Sequence, residues 1–302
     1  MNYSSILNQV MILFLIMLIG YLARKRNIIN EETNYGLSKL LLDVTLPAFL
    51  VTSFNFQFSN QMLMRAGALF LIGFVILIVL AIISKVLYMK YPRDVSSVLR
   101  FATIFSNNGF MGYPIILSIY GKLGVFYTAI FNIPFTILVF TLGVMLFSKK
   151  KDFKSLGKEL LNPSLISIII GLFIFIFSVK IPYPIYQTLN LVGSMTTPLA
   201  MMIVGSLVAE VDIKYIFGGT VVYYVAIVRL IVTPLVVLLI MKAFGASGMF
   251  LGIPVLISGM PGASLTSIMA EKYGGDSILA SKCVLITTIL SAITIPLMLL
   301  LL

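Results

Sequence analysis

The chain has 302 residues, of which 60% are hydrophobic and only 10% charged, with a formal net charge of +11, no histidine and a single cysteine, Cys283. This composition, with a mean hydropathy of +1.11, lies far outside the range of a water-soluble domain of that length and assigns the chain to a bilayer. Without histidine or a second cysteine, histidine-ligated metal sites, Ser-His and Cys-His catalysis and internal disulfides are excluded, and no metal or cofactor is expected.

A transmembrane helix needs about 20 apolar residues. Runs of that kind, bounded by charges, prolines or glycines, predict an all-α membrane protein of ten transmembrane helices. They lie near residues 5–23, 34–53, 64–88, 97–118, 124–147, 162–178, 186–208, 218–241, 248–269 and 278–301. The first run has no positive residue before it and Arg24, Lys25 and Arg26 directly after it, the reverse of a signal peptide's charge order, so it reads as a retained span. With the N-terminus outside, the inward connections hold Arg24 to Arg26, then Lys90 and Arg93, the stretch KKKDFKSLGK (149–158), Lys214 and Lys272. The outward ones hold only Lys122, Lys180 and Lys242, with Arg65 near an outer end. That asymmetry predicts a multi-pass cell-membrane protein with both termini outside. Because the basic residues punctuate apolar spans and form no aromatic-interleaved patch, nucleic acid is not an expected partner; the lipid bilayer is.

An odd number of spans per half puts a duplicated second half upside down, and the sequence carries such a duplication. TLPAFLVTSF (45–54) is similar to TPLAMMIVGS (197–206), with Pro47 and Pro198 in corresponding helices. FSNNGFMGYPIILSIYGKLG (105–124) lines up with SGMPGASLTSIMAEKYGGDS (258–277), where Gly109 meets Gly262 and Tyr120-Gly121 meets Tyr273-Gly274. Chance likeness between apolar segments is the alternative, and the agreement of the offsets and of the helix-breaking residues disfavours it. The expected halves are 1–150 and 162–302, joined by a short cytoplasmic linker at 151–161.

Proline removes a backbone hydrogen bond and glycine adds freedom, so NNGFMGYP is expected to unwind span 4 and GMPGAS to unwind span 9. Irregular backbone is tolerated at membrane depth only where protein or a watery cavity covers it, and paired interruptions in inverted halves point to a transporter's midplane site. Candidate substrate-contacting positions are therefore Asn107, Asn108, Gly109 and Pro114 in span 4 and Pro261, Gly262, Ala263 and Ser264 in span 9.

FSNNGFMGYPIILSIYG, MPGASLTSIMAEKYGGD and LSKLLLDVTLPAFL resemble the corresponding segments of the auxin efflux carrier family, which includes plant PIN proteins and bacterial proteins assigned as malate or malonate permeases. The likeness covers nearly the whole chain. With only residues 148–161 between its halves, the chain is similar to the short, bacterial PIN-like form. The resemblance implies two inverted five-helix repeats, with helices 1, 2, 6 and 7 as scaffold and helices 3–5 and 8–10 as a transport domain. It also implies that spans 4 and 9 cross at their breaks, with Asn107 and Pro261 at the crossing.

Two intramembrane charges stand apart. Asp43 lies about one turn before Pro47 and is a candidate proton carrier or sodium ligand; the alternative is a solvated charge, or a partner of Lys39 at i,i+4. Arg229, in YYVAIVRLIVTP, would attract an anion or, as the more ordinary reading, form a structural ion pair or snorkel to the interface. Glu271 and Asp276 read as solvated interfacial charges.

These features predict a non-enzymatic secondary transporter of a small organic anion, auxin-like or a mono- or dicarboxylate, working by alternating access in an elevator or rocking motion. There is no GxxxxGK[ST] loop, so the energy is expected from gradients. Alternatives are a proton- or sodium-coupled symporter or exchanger of another substrate class, a channel, and a sensor of the same fold; a homodimer is left open. With Asp43 the one intramembrane acid, an enzyme has little to work with. The predicted topology is checked by cysteine labelling from outside: Ser59→Cys is expected to react and Ser155→Cys to stay protected, and equal labelling would overturn the ten-span arrangement.

Overall fold

The apolar runs fold as helices throughout. The computed structural model describes residues 3–148, 162–210 and 219–302. The basic stretch 149–158 with Ser155, the rest of the 151–161 linker, and Lys214 lie outside the described residues. In chain order the first half contains α1 (Tyr3–Lys25), α2 (Glu31–Leu40), α3 (Leu46–Ser53), α4 (Asn60–Leu87), α5 (Arg93–Ile104), α6 (Tyr113–Phe131), α7 (Ile133–Leu138) and α8 (Val144–Phe147). The second contains α9 (Pro163–Ile176), α10 (Tyr183–Ser194), α11 (Thr196–Glu210), α12 (Thr220–Ile227), α13 (Thr233–Ala243), α14 (Met249–Ser258), α15 (Leu265–Tyr273) and α16 (Ser277–Leu299). Among the described residues there is no named β-strand, only one isolated bridge. Among the described residues four starts are capped by side chains: Asn30 Oδ1 accepts from the Thr33 amide, Ser59 Oγ from Met62, Asn162 Oδ1 from Leu165 and Asp276 Oδ1 from Leu279. Asp276 is thus a helix cap and not merely a solvated charge.

Seven helical stretches among the described residues are long and apolar enough to cross a membrane, against ten expected spans. The difference has a physical cause. Spans 4 and 9 are each broken into short halves, α9 and α14 fall below the length needed, and the stretch Asn108–Phe147 runs on as a single helical segment. Within that stretch Gly121 is not helical: its φ of 63° and ψ of −160° divide α6 at the expected boundary between spans 4 and 5. Gly274, which the sequence aligns with Gly121, also has a positive φ of 79° and ends α15 in a left-handed cap.

Proline acts here through widened turns. Five-residue π-helical segments at Leu41–Thr45, Asn108–Gly112 and Val228–Val232 each end two residues before a proline, Pro47, Pro114 and Pro234. A proline has no N–H for the carbonyl four residues back and its ring crowds that carbonyl, so a turn that pairs residues five apart relieves both problems. The Leu46 amide accordingly donates to the Leu41 carbonyl, and both the amide and the hydroxyl of Thr233 donate to that of Val228. Asp43, Asn108, Gly109 and Arg229 all lie in these wide turns.

The chain forms two compact units, each drawing on both halves of the sequence. One contains residues 3–70, 109–133 and 162–210; the other contains 71–108, 134–148 and 219–302. In the first, α1 runs along α11, and α3 lies against α9 and α10. The α1–α11 approach is backbone on backbone: Gly20 faces Met202, and Gly205 faces Met17. Ser206 donates to Asn34 Oδ1 at 2.7 Å in the buried layer between α11 and α2, and Arg24 pairs with Glu210 at 3.0 Å. Phe54, seated on Gly171, stacks edge-on with Phe126, which does the same with Phe175.

The second unit has an aromatic core around Phe101, Phe105 and Phe147, with Phe101 against Gly143 and Phe147 against Gly275. A smaller cluster joins α13 to α14 through Leu238, Met241 and Val255.

A Cβ at Gly20 or Gly205 would overlap a backbone oxygen of the facing helix, whereas one at Gly67 meets nothing within 4 Å. Gly20→Ala and Gly205→Ala are therefore expected to lower stability in detergent by about 1–3 kcal/mol, read as a drop in thermal midpoint, while Gly67→Ala leaves the midpoint unchanged or raised.

Candidate functional site

The second unit contains the two interruptions and joins them. Helix α5 stops at Ile104 and α14 at Ser258, and the extended residues after each run past one another. The Asn107 amide donates to the Pro261 carbonyl at 2.8 Å and the Ala263 amide to the Phe105 carbonyl at 3.0 Å, an antiparallel bridge centred on Ser106 and Gly262. Each broken segment thus supplies the partner that the other lost. Asn107, Asn108, Pro261, Gly262 and Ala263 are all buried, and Ser264 is half-buried. The Asn107 side-chain amide donates to Ser264 Oγ at 3.4 Å, and Ser106 Oγ donates to Asn108 Oδ1 at 2.8 Å, so the polar side chains of the two breaks interlock as well.

Two side chains from other helices brace this bridge. Arg229, on the wide turn before α13, is only 1% exposed. Its Nε donates to the Met260 carbonyl at 3.0 Å, and Nη1 donates to the Thr103 carbonyl at 2.6 Å and more weakly to Ile104 at 3.5 Å. These carbonyls belong to the C-terminal ends of α5 and of the α14 segment, where helix carbonyls lack intrahelical partners and the dipole is negative. The guanidinium therefore caps both half-helices at once. It neither snorkels nor, among the described residues, lies within ion-pair distance of a carboxylate, which corrects both ordinary expectations for it. From α16, Thr287 Oγ1 accepts from the Gly262 amide at 3.1 Å while donating to the Cys283 carbonyl at 2.7 Å.

The remaining expected positions fall elsewhere. Gly109 and Pro114 belong to the first unit, on the wide turn after Asn108 and at the start of α6. Neither Gly109 nor Gly262 is demanded by space: a Cβ at Gly109 meets nothing within 4 Å, and one at Gly262 makes ordinary contacts, the nearest Thr287 Oγ1 at 3.5 Å. Asp43, also in the first unit, is exposed on its wide turn and makes no salt bridge with Lys39. Thr266, half a turn into α15, donates its hydroxyl to the Ala263 carbonyl at 2.6 Å, repairing backbone released at the break.

Sequence reasoning passed over Thr287 and Tyr88. Tyr88 is fully buried and its hydroxyl shares a 2.9 Å hydrogen bond with Thr103, whose carbonyl Arg229 caps. Neither has a sequence signal beyond a polar group in an apolar stretch. Arg100 also lies in span 4, and its Nε is buried with no hydrogen-bond partner among the described residues.

The chain matches the membrane transport protein family over residues 5–156 and 152–299. It is 26% identical to an uncharacterized transporter of Methanocaldococcus jannaschii across 96% of this chain and 97% of that protein. An uncharacterized transporter of Methanothermobacter thermautotrophicus is 24% identical across 98% of both chains, and the uncharacterized transporter YfdV of Escherichia coli K12 is 23% identical across 86% of both. With that match across both broken helices, the chain belongs to the membrane transport protein family, the auxin efflux carrier family whose motifs its fourth and ninth spans carry.

Proposed function

We propose that this protein is a secondary transporter of a small organic anion, a mono- or dicarboxylate or an auxin-like acid, and that the substrate sits at the crossing of the two broken helices. The observation that carries this reading is the bridge between residues 105–107 and 261–263: polar backbone and side chains gathered at two matched helix interruptions in a multi-pass apolar chain. Such a site costs helix hydrogen bonds, and a span that served only as an anchor would gain nothing from it.

The proposed architecture is two inverted five-helix repeats, supported by the paired left-handed glycines Gly121 and Gly274 and by the paired breaks. We assign the scaffold to the first unit and the carrying role to the second, because the residues of the bridge, with Arg229 and Thr287, lie inside the second unit. The crossing residues would then travel together during alternating access. Asp43 and Arg229 are the two charges of the reading, one for coupling and one for the site.

Reconstitution into proteoliposomes and uptake of malate, malonate, lactate and indole acetate under imposed proton or sodium gradients tests the assignment. Saturable uptake with counterflow supports a carrier; flux without counterflow indicates a channel, and binding without flux a sensor. For the transported anion, Asn107→Ala is expected to weaken binding by about 10- to 150-fold, the loss of one hydrogen bond to a charged group. Asn107→Asp is expected to be worse, since it is nearly isosteric but sets a negative charge beside the substrate. An Asp variant that binds the anion as well as the parent removes Asn107 from the site.

Coupling is assigned to Asp43, a carboxylate on a wide turn within a span that forms no salt bridge among the described residues. Asp43→Asn is expected to abolish gradient-driven accumulation while sparing counterflow, because exchange of bound substrate requires no net protonation cycle. Accumulation at the parent level would leave Asp43 as a surface charge without a transport role.

A further inference from the structure

A buried cation is costly unless its charge is used or balanced. Arg229 is held by three backbone carbonyls, at Thr103, Ile104 and Met260, and those carbonyls immediately precede the two segments that cross. Carbonyl dipoles hydrogen-bond a guanidinium but do not cancel its full charge. The carboxylates among the described residues of the same unit are Asp94, Glu271 and Asp276. Asp94 and Glu271 are exposed, Asp276 caps α16, and none is within ion-pair distance of Arg229. Ser264, half-buried, immediately precedes α15 at the positive end of that helix. The charge is therefore buried beside the bridge, held by the carbonyls next to the crossing segments, in a medium of low dielectric where a field carries further than in water.

We infer that Arg229 is the specificity-determining charge of the crossing: fixed out of contact with substrate, it gives the site a positive potential that admits organic anions and rejects cations of the same size. Its hydrogen bonds hold the two half-helix ends, and its charge sets the sign of the ligand. This inference rests on the reading of the crossing as the substrate site. It separates two roles for one side chain, since Arg229→Lys retains the charge with fewer hydrogen bonds, while Arg229→Gln retains donors without the charge.

The potential can be read without knowing the substrate. In a Cys283→Ala background, Ser264→Cys places a thiol at the crossing, and its modification rates are measured with two methanethiosulfonates of similar size, the anionic sulfonatoethyl and the cationic trimethylammonioethyl reagent. A positive field raises the thiolate fraction equally for both, so the ratio of the two rates, referred to a free thiol, isolates the field acting on the reagent. With Arg229 in place the ratio is expected to favour the anionic reagent about tenfold; with Arg229→Lys it stays within about threefold of that value, and with Arg229→Gln it falls to about one. A parent ratio of one or below overturns the inference, and that measurement needs no Arg229 variant to fold. A ratio that remains near tenfold in Arg229→Gln overturns it too, by assigning the field to the helix ends alone. Failure of both reagents to reach Ser264→Cys in the parent overturns the crossing as an open site, and this inference falls with it; reaction with the wrong charge preference leaves the site standing and removes only the role of Arg229.

Discussion

Every backbone N–H and C=O at membrane depth has to find a partner within the protein, and the architecture around residues 105–107 and 261–263 follows from that requirement. Breaking one helix in the apolar interior would strand several polar groups. Breaking two and laying the loose segments antiparallel lets each supply donors to the other, as Asn107 does to Pro261 and Ala263 to Phe105. The carbonyl ends left over are gathered onto one guanidinium, and the Gly262 amide onto one threonine hydroxyl. Removing any one of these partners leaves a buried polar group unsatisfied, so the bridge, Arg229 and Thr287 form one interdependent structure.

Three prolines place the polar groups by the same rule. Each follows a wide turn that absorbs the missing donor, and these turns contain Asp43, Asn108 with Gly109, and Arg229. A wide turn inserts an extra residue into the helical repeat and so rotates the side chains that follow it relative to those before. The two units differ in how they cohere. The first rests on helix backbones brought into contact by glycine, at Gly20, Gly193 and Gly205. The second rests on an aromatic core and on hydrogen bonds between broken ends.

Under the proposed function, this difference suits the two roles. Close packing of small residues makes a rigid anchor, because sliding it separates many contacts at once. A site whose ligands, braces and core all belong to one unit keeps its geometry when that unit moves. Arg229 is buried and held by the carbonyls at the broken ends, a placement suited to a selector and unsuited to a coupling group. Asp43 is exposed and, among the described residues, has no ion-pair partner.

Much of this was legible in the residues. Long apolar runs with few charges determined that the chain is helical and belongs in a membrane, because only helices or closed barrels satisfy the backbone there. The clusters NNGFMGYP and GMPGAS located both breaks, since proline and glycine act on the chain locally, and the family resemblance implied that Asn107 and Pro261 meet there. Gly121 and Gly274, aligned in the sequence, both have a positive φ, which the alignment by itself did not specify. What the linear order could not contain was the partner of each released group. Arg229 read as a snorkelling or ion-paired residue because nothing near it in sequence identifies carbonyls 125, 126 and 31 positions away as its acceptors. Thr287 was one threonine among several on an apolar helix until folding brought it to Gly262. Local chemistry decided where the helices break, and only tertiary packing decided which side chains hold the broken ends, because those hydrogen bonds join residues that the sequence keeps far apart.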